Sequence, residues 1–133
     1  MNCAQTILST YCGMFGLDRN LALQLAQGFG AGIARSGRTC GAVSGAYMVI
    51  GLANKIPTEN PRQNLENVYE LINTFNRKFI EIHSSLLCKD LVGYDLSNPE
   101  SRAEAYSKSV FTTLCPVFVR DSAKILESLL RLD

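Results

Sequence analysis

Of the residue types that can do chemistry, one stands out in this chain by number and placement: cysteine, at positions 3, 12, 40, 88 and 115. A thiolate is a nucleophile, a soft metal ligand and one half of a disulfide. The single histidine, His83, is five residues from Cys88, which is not a one-face helical offset of three or four, so a Cys–His dyad on one helix is not indicated. Its expected place is a partly exposed surface of the long helix. An odd cysteine count without any CxxC pair argues against a local disulfide framework and against a thioredoxin-type motif. Whatever the cysteines do together, the fold has to bring them together.

Cys40 is the most informative of them. It follows GFGAGIARSGRT and begins CGAVSG, a region with six glycines between Gly28 and Gly45. Glycine costs about 1 kcal/mol against alanine inside a helix, so this density calls for a physical reason. A phosphate-cradling loop is excluded by context: Gly28, Gly30 and Gly32 follow a helix rather than a strand, Ile33 stands where a third fingerprint glycine belongs, and no GxxxxGK[ST] occurs. Two reasons remain. Gly41 and Gly45, with Ala42 and Ala46, make a small-residue face that admits another helix backbone. Alternatively, absent side chains at Gly37 and Gly41 leave the Cys40 sulfur approachable. A cysteine at a helix N-terminus with Arg35 and Arg38 nearby is expected to have a lowered pKa. Cys115 repeats the placement, with Pro116 at the first helical position making it the N-cap, and Arg120 one turn on.

The elements that must carry these residues read as helices throughout. Asn2 caps a first helix with Cys3, Ile7, Leu8 and Tyr11 on one face. Asp18 caps a second, with Leu21, Ala22 and Leu25 inward and Gly28 as its stop. The segment 41–53 is uncharged and is expected to be the central buried helix. Beyond a break at Pro57, a long amphipathic pattern places Leu65, Val68, Phe75, Phe79 and Ile82 inward as far as His83. A short helical turn surrounds Cys88, a helix from Asn98–Pro99 runs to about Phe111, and Cys115–Pro116 opens the last one. The fold expected is all-α: a compact single-domain bundle of five to six helices over residues 1–133, without repeats or linkers.

Composition limits the partners. Thirteen Lys and Arg against twelve Asp and Glu, with no basic block, exclude a phosphate-neutralising surface and hence nucleic acid. No apolar run is long enough to span a membrane, and the N-terminal residues carry no secretory pattern, so the expected location is cytoplasmic.

The chain resembles the C-GCAxxG-C-C family of redox-active proteins, small prokaryotic proteins with four cysteines and a CGAxxG motif. Here the motif is Cys40-Gly41-Ala42-Val43-Ser44-Gly45, preceded by the glycine-rich GFGAG; Cys3 in NCAQ, Cys88 in LLCKDL and Cys115 in LCPVFV supply the other cysteines, and Cys12 lies outside the pattern. The resemblance covers nearly the whole chain. It implies a redox role without a reaction; the expectation built on it is that two or more of Cys3, Cys40, Cys88 and Cys115 converge, with Gly41 and Gly45 as candidate cofactor-binding residues. Two chemistries suit such a cluster: thiol–disulfide or electron-transfer work, whose enzymatic form is a thiol-dependent oxidoreductase, and an iron–sulfur cluster or metal ion held by the thiolates. The first ranks higher because no CxxC pair pre-orders two ligands. Neither cofactor, redox partner nor homo-oligomeric state is specified by the sequence. A third reading makes the cysteines small core hydrophobes only.

Overall fold

The computed structural model of the chain describes residues 1–132. Among these, seven helices of five residues or more occur: α1 (Cys3–Tyr11), α2 (Arg19–Ala26), α3 (Gly41–Ala53), α4 (Pro61–His83), α5 (Cys88–Val92), α6 (Pro99–Ser107) and α7 (Cys115–Leu130). No strand is present among the described residues, only an isolated antiparallel bridge between Thr39 and Leu87. The all-α expectation holds. The helix number exceeds five to six because the stretch around Cys88 forms a helix in its own right.

The uncharged segment became the central element. In α3, Ala42, Val43, Ala46, Val49 and Ile50 are fully buried, with α1, α4 and α7 packed around it. Phe75 and Phe79 of α4 stack at 6.0 Å between centroids and are wholly enclosed. Burying a side chain of this size contributes roughly 1.5–3 kcal/mol. The buried Ser122 hydroxyl of α7 donates to the Ala42 carbonyl at 2.7 Å, tying the last helix to the first turn of α3.

Capping follows the local sequence. The Asn2 side chain accepts from the Gln5 N–H while the Gln5 side chain accepts from the Asn2 N–H, each at 2.9 Å, a reciprocal capping box at the start of α1. Asp18, Asn60 and Asn98 accept from the first turns of α2, α4 and α6.

Several expectations shift. Helix α2 ends at Ala26 in a 3₁₀ turn spanning Gln27–Phe29, so Gly28 is not its stop. It meets the body through Ala22 and Ala26, both fully buried, which turns Leu21 and Leu25 outward. On α4, Leu65 and Ile82 are likewise exposed, the buried stripe being carried by Phe75 and Phe79. The helix after Pro99 breaks at Ser109, which adopts φ +56°, and resumes as a single turn at Val110–Thr113. Leu114, already in right-handed helical geometry, caps α7, so Cys115 is its first residue rather than its N-cap.

The candidate four-cysteine site

Each of the four cysteines begins a helix. Cys3, Cys88 and Cys115 are the first residues of α1, α5 and α7, and Cys40 is the N-cap of α3. All four line one cavity of about 300 Å³. Cys12 does not join them: it is buried elsewhere, its sulfur 3.5 Å from the Ser9 carbonyl oxygen.

The glycines make this convergence. A Cβ on Gly41 would stand 2.9 Å from the Ala4 nitrogen and 3.1 Å from the Cys3 Cβ, and one on Gly45 would stand 3.0 Å from both the Ala4 carbonyl oxygen and the Ile7 Cβ. The two glycines therefore let the start of α3 press onto the backbone of α1, with Cys3 beside it. Close packing and proximity of the sulfurs are one feature rather than competing explanations. Gly45 faces α1 and not an open surface; Gly41, pressed on the same helix, also borders the cavity.

Cys40 and Cys88 are joined by backbone. The Cys40 N–H donates to the Leu86 carbonyl at 2.8 Å, the Cys88 N–H to the Arg38 carbonyl at 2.6 Å, and the Lys89 N–H to the Gly37 carbonyl at 3.2 Å. Upstream, Ala31, Gly32, Ile33, Ala34 and Arg35 all have positive φ, between 52° and 69°, a full left-handed turn of which four residues are not glycine. Such geometry costs roughly 1–2 kcal/mol per residue with a Cβ. It is held by the Ala34 N–H on the Gly30 carbonyl at 3.0 Å, the Arg38 N–H on the Gly32 carbonyl at 2.9 Å and the Ser36 hydroxyl on the Gly32 carbonyl at 2.7 Å. Gly32 is required there, since a Cβ would lie 2.6 Å from that of Cys88. The turn forms one wall of the cavity.

Electrostatics separates the four sulfurs. Cys3 is held below the ordinary thiol range, chiefly because the Cys115 thiol donates to it, with its own backbone N–H assisting against the penalty of burial. Cys115 is pushed up by the same contact and by burial. The two sulfurs thus release their protons as a pair, Cys3 ahead of Cys115. Cys40, expected to be lowered, is instead pushed up to about 12: burial outweighs the Ala42 and Val43 amides at its helix start, and the Cys3 and Cys88 sulfurs add repulsion. Neither arginine counts among the causes. Only 5 % of Cys40 is exposed, so its expected approachability is also not found. Cys88 is raised to about 11, first by burial and then by Cys3.

His83 stands apart, between the rings of Phe79 and Phe118 at 4.8 and 5.0 Å, with Nε2 2.8 Å from the Asp121 carboxylate. It fastens α4 to α7 and is more enclosed than the surface placement expected. Among the described residues, no three His, Cys, Asp or Glu side chains come together as a metal-holding group. None of the helices there is long and apolar enough to cross a membrane.

The fold and site define a class no finer than an all-helical protein with four helix-start cysteines lining one cavity. More particularly, the family model described as "Putative redox-active protein (C_GCAxxG_C_C)" matches residues 1–129, and the chain belongs to that family. The family's motif is Gly-Cys-Ala-x-x-Gly, which corrects the CGAxxG expected of it: here the first two residues stand in the reverse order, Cys40-Gly41, which leaves position 41 without a Cβ against α1. An uncharacterized protein of Archaeoglobus fulgidus is 30% identical over 124 residues, covering 85% of this chain and 82% of its own. No solved structure matches.

Proposed function

We propose that the protein is a dithiol–disulfide redox protein in which Cys3 attacks and Cys115 resolves. The observation that carries this reading is that Cys3 and Cys115, each the first residue of its helix, line two cavities together; the lowering of Cys3 and raising of Cys115 by their mutual contact supports it. The reaction consumes a disulfide as oxidant. The Cys3 thiolate attacks one sulfur of that disulfide, the S–S bond breaks, and the leaving thiolate takes up a proton from solvent. Cys115 then loses its proton and attacks the Cys3 sulfur, forming the intramolecular bond and expelling the second thiolate. Two protein thiols are oxidised and one external disulfide is reduced to two thiols. Cys40 and Cys88, pushed up to about 12 and 11, stay protonated at neutral pH and line the site as neutral thiols.

Trapping tests this. With Cys115→Ser, a small disulfide should leave a stable mixed disulfide on Cys3, detected as a mass adduct; with Cys3→Ser the adduct should be lost. In the wild type the pH profile of Cys3 alkylation should have its midpoint below the ordinary thiol value of 9.0. An adduct that persists on Cys40 in the Cys3→Ser variant would overturn the assignment. So would four equally protected thiols released together with stoichiometric iron or zinc.

A further inference from the structure

The cavity beside the thiols has a chemistry of its own. Its volume of about 300 Å³ is at the small end of ligand sites, enough for one small organic molecule rather than a folded partner's loop. Leu96, Phe111 and Phe118 give it apolar walls, and among the described residues no Asp or Glu borders it. Its two formally charged side chains are Arg35 and Arg102. Among the described residues neither forms an ion pair, and Arg102 is anchored by one nitrogen to the Leu96 carbonyl at 3.2 Å. Three helices of nine, thirteen and sixteen residues also begin there, adding partial positive charge at α1, α3 and α7. Arg35 has φ +69°, a conformation glycine adopts without strain, so its side chain is kept at an energetic disadvantage to the backbone. Exposed at the rim of the cavity, it is suited to grip an anionic group while the rest of the molecule enters.

Resting on the redox reading, we infer that the oxidant taken by this site is a low-molecular-weight disulfide of an acidic thiol, with an apolar or aromatic body and a carboxylate that Arg35 binds. Cys3 attacks the sulfur nearer to it, and the acidic thiolate leaves along the arginine side.

Two aromatic probes separate charge from reactivity: dianionic 5,5′-dithiobis(2-nitrobenzoate) and neutral 4,4′-dithiodipyridine. Single-turnover rates are measured for the reduced wild type and for Arg35→Gln, with thermal melting to verify the fold. The variant should react about tenfold more slowly with the dianionic probe and within about twofold of wild type with the neutral one, and added salt should slow only the former. A change in thiolate content would move both rates alike. Equal losses with both probes, or no loss with either, would overturn the carboxylate assignment while a Cys3–Cys115 disulfide still formed. If neither probe produced that disulfide in the wild type, the redox reading would fall and this inference with it.

Discussion

Replacing Gly41 with alanine should separate Cys3 from its partners, and the size of the effect follows from the helix contact. The new Cβ would meet the Ala4 nitrogen at 2.9 Å, the Cys3 Cβ at 3.1 Å and the Phe29 carbonyl oxygen at 3.2 Å. Two of the three are backbone atoms, so relief requires α1 to move outward by several tenths of an ångström rather than a side chain to rotate. Overpacking of this kind costs about 1–3 kcal/mol. For a domain of 133 residues, a melting entropy of about 0.28 kcal/mol/K turns 2 kcal/mol into a drop of about 7 °C. Gly51, later in the same helix, has nothing within 4 Å of the point where a Cβ would stand, and its replacement by alanine should instead stabilise by up to about 1 kcal/mol. Differential melting of the two variants, with cysteine-by-cysteine alkylation of each, is the assay. Gly41→Ala should melt lower and shift the Cys3 midpoint toward 9.0, whereas Gly51→Ala should leave that midpoint in place. A Gly41→Ala protein as stable as wild type, with Cys3 unchanged, would refute the claim that close packing of α1 on α3 builds the site.

Stability should fall as pH rises above about 9, because unfolded thiols ionise there while folded Cys40 and Cys88 hold their protons until about 12 and 11. Each group contributes about 1.4 kcal/mol per pH unit in that window, so denaturant titrations between pH 9 and 10.5 should show a slope that Cys40→Ala makes shallower by that amount. The lowered Cys3 acts in the opposite sense, adding stability as pH rises through its folded value and completing that gain by about 9. Arg35→Gly should raise stability by about 1 kcal/mol in denaturant unfolding, since glycine meets φ +69° without strain.

The parts of the fold set by local composition were legible. The uncharged 41–53 segment is the buried helix because nothing in it requires water, and Asn2, Asp18 and Asn98 start helices because their side chains satisfy exposed amides. The gathering of Cys3, Cys40, Cys88 and Cys115 around one cavity was expected from the motif, but which of them has its pKa lowered was not legible. A helix start favours the anion at Cys40, yet whether burial outweighs it depends on α1 and α5 arriving from distant sequence. Cys3 looked like one more residue on an apolar face; its distinction comes from Cys115, far along the chain. The left-handed turn was hidden for a related reason. Of its five residues only Gly32 advertises positive φ, and the others are held there by hydrogen bonds to Gly30 and from Arg38 and Ser36.

The central claim is the pairing of Cys3 with Cys115, and disulfide mapping tests it most directly. Fully reduced protein is treated with one equivalent of a small disulfide, the remaining thiols are blocked at low pH, and the peptides are sequenced by mass spectrometry. The account predicts a Cys3–Cys115 cross-link with Cys12, Cys40 and Cys88 recovered as blocked thiols. A Cys40–Cys88 cross-link as the first product, or oxidation that leaves both Cys3 and Cys115 free, would contradict it.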